Sequence, residues 1–459
     1  MTATTGLILL VVLVLFFGLL AIRLHVGLSL MASAFVGVLL LRGTGAGVST
    51  VANQPFSTAA DYSLTIIPLF IVMGIFAVRA GLAQAGFDLA SALLRRLPGG
   101  PALASLAGSG MFAAVTGSSV ATVATMARVS TDAIVRAGYS IRLAAGVVCA
   151  GGTLGVLIPP SIVLVLYGVV TEESIGQLLI AGIGPGVVTI AAYAVAIVAL
   201  VMWQRRRAAQ RAEVDATTDP EGESGKALSE EAAESGGPGR LDLLGFGYLV
   251  VIFAVSIGTI YLGLATPTEA ASFGAFAALI ILLLRTRPPA WLHEIKEALT
   301  EAIGLTAMTF LLMIGAGVFT YVLALSGAST SLVSAVTEAD LPPYLVLVLC
   351  LIVLLPLGMF LDGISMILIA APLLHPILTG YGFDGIWIGV LIVKVAEMAL
   401  ITPPVGMNAF VYSGAVREAG LGRVFRGVVP FIVADVVVVA LLIVFPAIVT
   451  FLPSMSAAQ

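Results

Sequence analysis

The chain's 459 residues are 60% hydrophobic and only 10% charged, with a formal net charge of −4. Soluble domains carry roughly 25% charged residues, so the composition excludes a soluble enzyme or a nucleic-acid binder and describes an all-α polytopic membrane protein. Cys149 and Cys350 stand alone in apolar runs, which argues against both a disulfide framework and a metal site.

The first apolar run, Leu7–Ile22, has no basic residue before it and no small-residue cleavage site after it. It is expected to be a retained span with the N terminus outside. Further spans are predicted at 26–41, 63–80, 142–170 and 178–203. Between the third and fourth spans lies 101–137, two half-length apolar stretches that meet at Thr116-Gly117-Ser118-Ser119. Neither half reaches the ~20 residues a spanning helix needs. The segment reads as a re-entrant helical hairpin, with a single small-residue span from 103 to 125 as the alternative. The helix over 142–170 is broken by Pro159-Pro160. Each proline removes an N–H and clashes with the carbonyl four residues earlier, a cost of roughly 3 kcal/mol. The carbonyls of Gly155 and Val156 are expected to be freed, and in a bilayer such groups must be buried in protein or line a polar cavity.

Residues 208–240 are polar, acidic and rich in Gly, Ser and Ala, and read as a disordered linker. They divide the chain into a first repeat, 1–207, and a second, 241–459. In the second repeat, spans are predicted at 244–264, 268–285, 302–325, 386–412 and 427–452. A hairpin over 343–379 turns at Leu361-Asp362-Gly363. The span over 386–412 is broken at Pro403-Pro404, which is expected to free Ala399 and Leu400. Aligning the two proline pairs gives an offset of 244 residues (403 − 159), which sets Ser118 opposite Asp362. The chain is thus an internal duplication. If each half crosses five times and adds a hairpin that returns to its starting side, one face collects the positive charges. These are Arg23, Arg79, Arg95, Arg96, Arg128, Arg136, Arg142, Arg205–Arg207, Arg285, Arg287, Lys296, Arg417, Arg423 and Arg426, with Arg42 the exception. The positive-inside tendency makes that face cytoplasmic. Five crossings is an odd number, so the second repeat is inverted. Both termini are then periplasmic and the linker cytoplasmic.

No metalloprotease, P-loop or nucleophile-elbow pattern occurs, and His25, His293 and His375 are scattered. No enzyme is indicated, and His375 reads as structural. The breaks and tips supply oxygen instead, from the freed carbonyls, from Ser161 and Thr402, and from Thr116, Ser118 and Ser119. Unwound carbonyls suit a hard cation such as Na⁺, and half-helix N termini suit an anion. Ser118, Ser161, Asp362 and Asn408 are the substrate-binding candidates. Asp362 either ligates an ion or caps the helix that follows it. Glu397, with Lys394 three residues earlier, is expected to form a neutralising pair on one helix face. Glu269 reads as a helix-start residue, and Asp435 has no obvious partner.

The segments AAVTGSSVATVATM (113–126), GGTLGVLIPPSIVLVLYGVVTEESIGQLLIAGIGPG (151–186), TPTEAASFGA (266–275) and AEMALITPPVGMNAFV (396–411) carry a family resemblance. The chain resembles the large, DctM-like membrane subunit of TRAP transporters over nearly its whole length except 208–240. The resemblance implies a sodium-coupled importer of small organic acids in a bacterial or archaeal inner membrane, with Na⁺ as the coupling ion and no other cofactor. It implies two partners, a small DctQ-like membrane subunit and a DctP-like periplasmic binding protein, and an elevator motion of the hairpins and broken helices. By motif, one sodium site would use Thr116 and Ser119 with backbone at Gly155, Ile158 and Pro160. The other would use Gly358, Ala399 and Thr402, with Val405 or Met407 nearby. Ala399 stands where the family often has glycine, and Lys394 where an apolar residue is usual. A stand-alone sodium-coupled dicarboxylate or citrate carrier of related inverted-repeat design is the alternative. Because the linker cannot build a packed core, replacing residues 212–236 by a Gly/Ser segment of equal length is expected to leave initial uptake within about twofold. Uptake assays of the two proteins at matched membrane levels check this.

Overall fold

A computed structural model describes residues 3–94, 96–218 and 241–457. The first half runs α1 (Ala3–Ala21), α2 (Val26–Ala59), α3 (Ile66–Arg79), α4 (Leu82–Leu94), α5 (Gly100–Thr116), α6 (Ser119–Arg136), α7 (Ile141–Thr153), α8 (Ile162–Thr171), α9 (Ile175–Ala181) and α10 (Ile183–Thr218). The second runs α11 (Leu243–Phe253), α12 (Pro267–Arg285), α13 (Trp291–Ser326), α14 (Ala328–Glu338), α15 (Pro343–Phe360), α16 (Gly363–Gly380), α17 (Gly385–Ala399), α18 (Met407–Ala415), α19 (Leu421–Val444) and α20 (Ala447–Ala457). Among the described residues, nine helical runs are long and apolar enough to cross a membrane. The protein is a helical, multi-pass membrane protein.

A shift of 244 residues carries α6 onto both ends of α16 and the start of α7 onto that of α17. It also brings the end of α5 onto that of α15 and the end of α8 onto that of α18. Residues 103–125 are not one span: α5 stops at Thr116, and Gly117 turns the chain with φ 60°. That left-handed conformation costs glycine nothing and a residue with a Cβ about 1 kcal/mol or more.

Several elements exceed or escape the expected spans. Helix α2 continues past residue 41 to Ala59 by kinking at Gly43, through a stretch too polar for hydropathy to register. Helix α13 begins at Trp291, eleven residues before the predicted span (302 − 291), because Arg79 at the end of α3 holds its charged first turns. The guanidinium lies 3.2 Å from Glu294, 3.5 Å from Glu297 and 3.3 Å from Glu301. The short helices α4 and α14 sit at matching positions in the two halves and were not expected. Helix α10 continues to Thr218, eleven residues into the segment read as disordered, since Ala, Gln, Arg and Glu are good helix formers. The remainder of that segment, 219–240, and Arg95 lie outside the described residues.

The helices pack into two sets. Helix α2 packs along α13 and α1, and α3 packs against α12 and α13. The backbones of α2 and α13 touch, so a Cβ on Gly315 would stand 2.2 Å from the Gly27 carbonyl oxygen. At the foot of this set Arg285 pairs with Asp242, the N-cap of α11. That hydrogen bond and one from the Gly245 N–H hold the Asp242 carboxyl below its ordinary range. The other set interleaves the two halves. Helix α6 lies on α18, α8 on α16 and α7 on α19. Helices α7 and α19 cross backbone to backbone, where a Cβ on Gly146 would meet the Gly427 oxygen at 2.2 Å.

The buried charges do not pair along α17 as expected. Lys394, fully buried, bonds Asp435 of α19, and Tyr193 of α10 donates to the same carboxylate oxygen at 2.7 Å. Thr153 in turn lies 3.1 Å from the Tyr193 hydroxyl. Glu397 is left to bond Ser119. Residues three apart on a helix are close, but Asp435 and Ser119 each offer a partner across a helix interface, and the expected Lys394–Glu397 pair does not form. Removing one member of a buried pair strands a charge at about 3–5 kcal/mol, whereas an apolar pair of similar volume is often neutral. Lys394→Met is therefore expected to lower the thermal unfolding midpoint in detergent sharply, and Lys394→Met with Asp435→Leu to recover most of the loss. Equal destabilisation of the single and double variants would show that a stranded Asp435 charge is not what destabilises the single variant.

Candidate functional site

The two hairpin tips meet each other and the first break at one place. A cavity of about 70 Å³ is lined by Gly117, Ser118 and Ser119 of the first tip, by Asp362, Gly363 and Ile364 of the second, and by Val156, Ile162, Glu397 and Leu400. Its polar wall is two hydroxyls and two carboxylates. Ser119 donates to Glu397, whose residue is only 1% exposed. Asp362 is the N-cap of α16, accepting from the Ser365 hydroxyl and, at 3.5 Å, from the Ser365 N–H. Both offered roles of Asp362 are thus compatible with its place: it caps a helix while facing the cavity.

The first set of predicted ion ligands gathers around the first tip. The Pro160 carbonyl oxygen lies 3.0 Å from where a Cβ on Gly117 would stand. Gly155 packs on Ala113, with no room for more than a hydrogen. Thr116 donates to the Phe112 carbonyl at 3.2 Å and lies 3.3 Å from the Thr122 hydroxyl. The Ile158 side chain points to Gly110 and Gly186, away from the tip, so only its backbone is available. No backbone hydrogen bond outside the helical ladders reaches the carbonyls of Gly155 or Val156, while both Leu157 and Ile158 donate to Leu154.

The second set behaves differently. The carbonyls of Ala399 and Leu400, expected to be free, accept from the N–H groups of Thr402 and Asn408, each at 3.1 Å. Ala399 is capped by a tight turn ahead of Pro403, and the chain past Pro403-Pro404 coils back far enough for the Asn408 N–H to replace the one Pro404 lacks at Leu400. Each carbonyl keeps a second lone pair. The Thr402 hydroxyl donates to Met398 at 2.7 Å, so its own lone pairs remain for a further contact. Ala399 stands against Gly358, where a Cβ would meet that of Ala399 at 2.4 Å. The glycine absent at 399 is supplied across the contact. Val405 lies in the turn between the half-helices, and Met407 opens α18.

Of the substrate candidates, Ser118 and Asp362 line the cavity and the other two do not. Ser161 is buried as the N-cap of α8, accepting from the Leu164 N–H at 3.1 Å. Asn408 is buried with neither amide atom hydrogen-bonded. Its Nδ2 lies near Gly152, where a Cβ would also stand 3.0 Å from the Ser119 carbonyl oxygen. Glu397 is the residue the sequence reading misplaced. Its position two residues before Ala399, inside an apolar run, was the available signal, and the nearby lysine hid it. His375 lies with its Nδ1 2.8 Å from the Tyr167 hydroxyl, and Glu269 closes a capping box with Thr266.

Two clefts flank the cavity. One of about 240 Å³ runs from Arg79 and Glu301 to Thr116, Ser118, Ile162 and Ile364, reaching the cavity wall. Another of about 440 Å³ opens near Gln54, Ser57 and Asp61, and ends at Val169, Met313 and Leu368. The first is the arginine side of the chain and the second the side opposite.

Comparison with known proteins agrees with this architecture. The family described as "Tripartite ATP-independent periplasmic transporter, DctM component" matches residues 13–448. The chain is 36% identical over 411 residues to the C4-dicarboxylate TRAP transporter large permease protein DctM of Pseudomonas aeruginosa, covering 90% of this chain and 89% of that protein. It is 30% identical to the ectoine/5-hydroxyectoine TRAP transporter large permease protein UehC of Ruegeria pomeroyi, covering 92% of this chain and 93% of that one. Among solved structures, the Alcanivorax borkumensis YdaH transporter shares the fold, with a TM-score of 0.59 at 14% identity, covering 89% and 90% of the two chains. With a family match over nearly its full length, the chain belongs to the DctM component family of tripartite ATP-independent periplasmic transporters.

Proposed function

We propose that this protein is the transporting subunit of a sodium-driven importer that moves a small organic acid across the inner membrane. A periplasmic binding protein delivers the substrate, and a small membrane subunit completes the complex. The observation that carries the reading is the meeting of both hairpin tips and the first break around one small cavity, with two hydroxyls and two carboxylates on its wall. Irregular backbone at membrane depth is tolerated only where it is covered by protein or lines a cavity, and in transporters it marks the ion and substrate sites. The family match favours the tripartite arrangement over a stand-alone dicarboxylate or citrate carrier. The relatives named above carry different solutes, so the substrate class is set here as a small organic acid and no narrower.

Sodium fits the oxygens on offer. Gly155, Val156 and Pro160 present backbone carbonyls beside Thr116 and Ser119 at the first tip, and Thr402 with Ala399 presents a second, smaller set. The N termini of α6, α8 and α16 all point toward the cavity region, which suits an anion. In the proposed cycle the hairpins and broken helices slide as a body against α1–α3 and α11–α13. Both termini lie in the periplasm and the linker, residues 208–240, in the cytoplasm.

Uptake into proteoliposomes with the cognate binding protein is expected to require a sodium gradient. Full uptake in sodium-free buffer under a proton gradient alone would defeat the coupling assignment. Thr402→Val keeps shape and branching and removes one oxygen. Loss of a ligand worth about 1.5–3 kcal/mol is expected to raise the sodium concentration for half-maximal uptake roughly 10- to 150-fold, with uptake preserved at saturating sodium. Superimposable sodium titrations would remove Thr402 from the site and leave its bond to Met398 as its whole role.

A further inference from the structure

The two clefts approach each other closely. On α13, Thr309 lines the cleft on the arginine side and Met313 the cleft on the other. On α16, Ile364 and Leu368 divide in the same way. Four residues of helix rise about 6 Å, against a hydrocarbon core of about 30 Å. On the flanking segments the boundary falls between Ile71 of α3 and Leu64, in the turn just before that helix, and between Ile162 and Val169 of α8. Seven residues there correspond to about 10 Å.

We propose that the permeability barrier of this protein is a single-turn apolar seal, Thr309–Met313 of α13 against Ile364–Leu368 of α16. The proposal rests on the transporter reading above and adds to it the place where the two aqueous sides are kept apart. The seal is apolar where it is closed: Leu312, Met313, Ile367 and Leu368 are all buried. Its two polar members bond along their own helices, Thr309 to the Leu305 carbonyl at 2.9 Å and Ser365 to Asp362. Among the described residues, no hydrogen bond or ion pair joins α3 or α13 to α8 or α16. Helices α13 and α16 therefore meet across a surface with no directional bonds to break. Such a surface can slide without unpairing polar groups, and it excludes water through its apolarity alone. A hydrophobic constriction of that kind is closed by dewetting. At one turn in thickness it has little reserve, so one hydroxyl in its middle should admit water.

Passive entry of radiolabelled sodium into proteoliposomes, without substrate or binding protein, tests the seal. Leu368→Ser and Met313→Ser, one on each wall, are each expected to raise the leak about tenfold or more. Leu368→Ile, and Val170→Ser in the open part of the same cleft, should leave it at the wild-type level. Wild-type leak in both wall variants, each eluting as a single peak and unfolding near the wild-type temperature, would overturn the proposal. Should the serine variants fail to fold, labelling decides. With Cys149 and Cys350 changed to Ala, Ile364→Cys and Val170→Cys, each partly exposed in its own cleft, are expected to react with a membrane-impermeant maleimide from opposite faces in sodium-free buffer. Reaction of both from the same face would overturn the seal. A leak in the serine variants of a protein that shows no sodium-driven uptake would leave the seal standing and remove the coupled-import reading.

Discussion

An unpaired peptide carbonyl or N–H in hydrocarbon costs several kcal/mol, and each proline pair places such groups in the middle of an apolar run. Everything around them can be read as the response. The first break is roofed by the tip of its own hairpin, through the contact of Pro160 with Gly117. It is then closed from the side by the second half, whose Glu397 holds Ser119 and whose Asn408 backs onto Gly152. The second hairpin leans on α8, the half-helix after the first break. Neither half could cover its own irregular backbone alone. The duplication has therefore produced one interlocked unit around the cavity, and its helix bounds coincide across the repeats because both copies answer the same constraint.

The copies diverge in chemistry where they agree in shape. At the shift of 244, Ser118 becomes Asp362, Ser119 becomes Gly363 and Thr153 becomes Glu397. Hydroxyls in the first copy thus face carboxylates in the second. Close approach recurs with different partners: Gly155 meets Ala113 in one half, and Ala399 meets Gly358, one residue out of register with Ala113, in the other. The carbonyls differ as well, since those of Ala399 and Leu400 are recaptured by downstream N–H groups. A shared backbone break does not guarantee a shared set of free ligands.

This separates what the sequence discloses from what it conceals. Proline pairs, half-length apolar stretches and a fixed offset are local or periodic signals, and the helices are interrupted at both tips and both proline pairs. Partner choice among buried charges is a tertiary property. Nothing in the spacing of Lys394 and Glu397 reveals that Asp435, 41 residues beyond Lys394 in the chain, lies nearer in space. The same holds for Ser161 and Asn408, whose types suit a ligand but whose helices turn them away from the cavity. Helices α4 and α14 escaped because both are too short to register as spans, and the charged start of α13 because only the partner Arg79 makes it worth ordering.

The charge arrangement bears on why coupling to a cation is needed at all. Lys394 and Asp435 cancel one another, which leaves Asp362 and Glu397 on the cavity wall with no basic side chain lining it. Two unit charges of like sign about 4 Å apart repel by about 4 kcal/mol at an effective dielectric of 20. An organic anion entering this cavity unaccompanied would meet that penalty from each wall carboxylate that is ionised, and the helix N termini offset only part of it, at about 0.3–1 kcal/mol each in ordinary exposure. Cations held at the neighbouring carbonyls and hydroxyls would change the sign of the field that the substrate meets. On the proposed reading, sodium therefore binds before the acid, and the substrate's affinity is created by the ions that accompany it. On that reading the coupling would follow from the electrostatics of the cavity, without a separate device to enforce it.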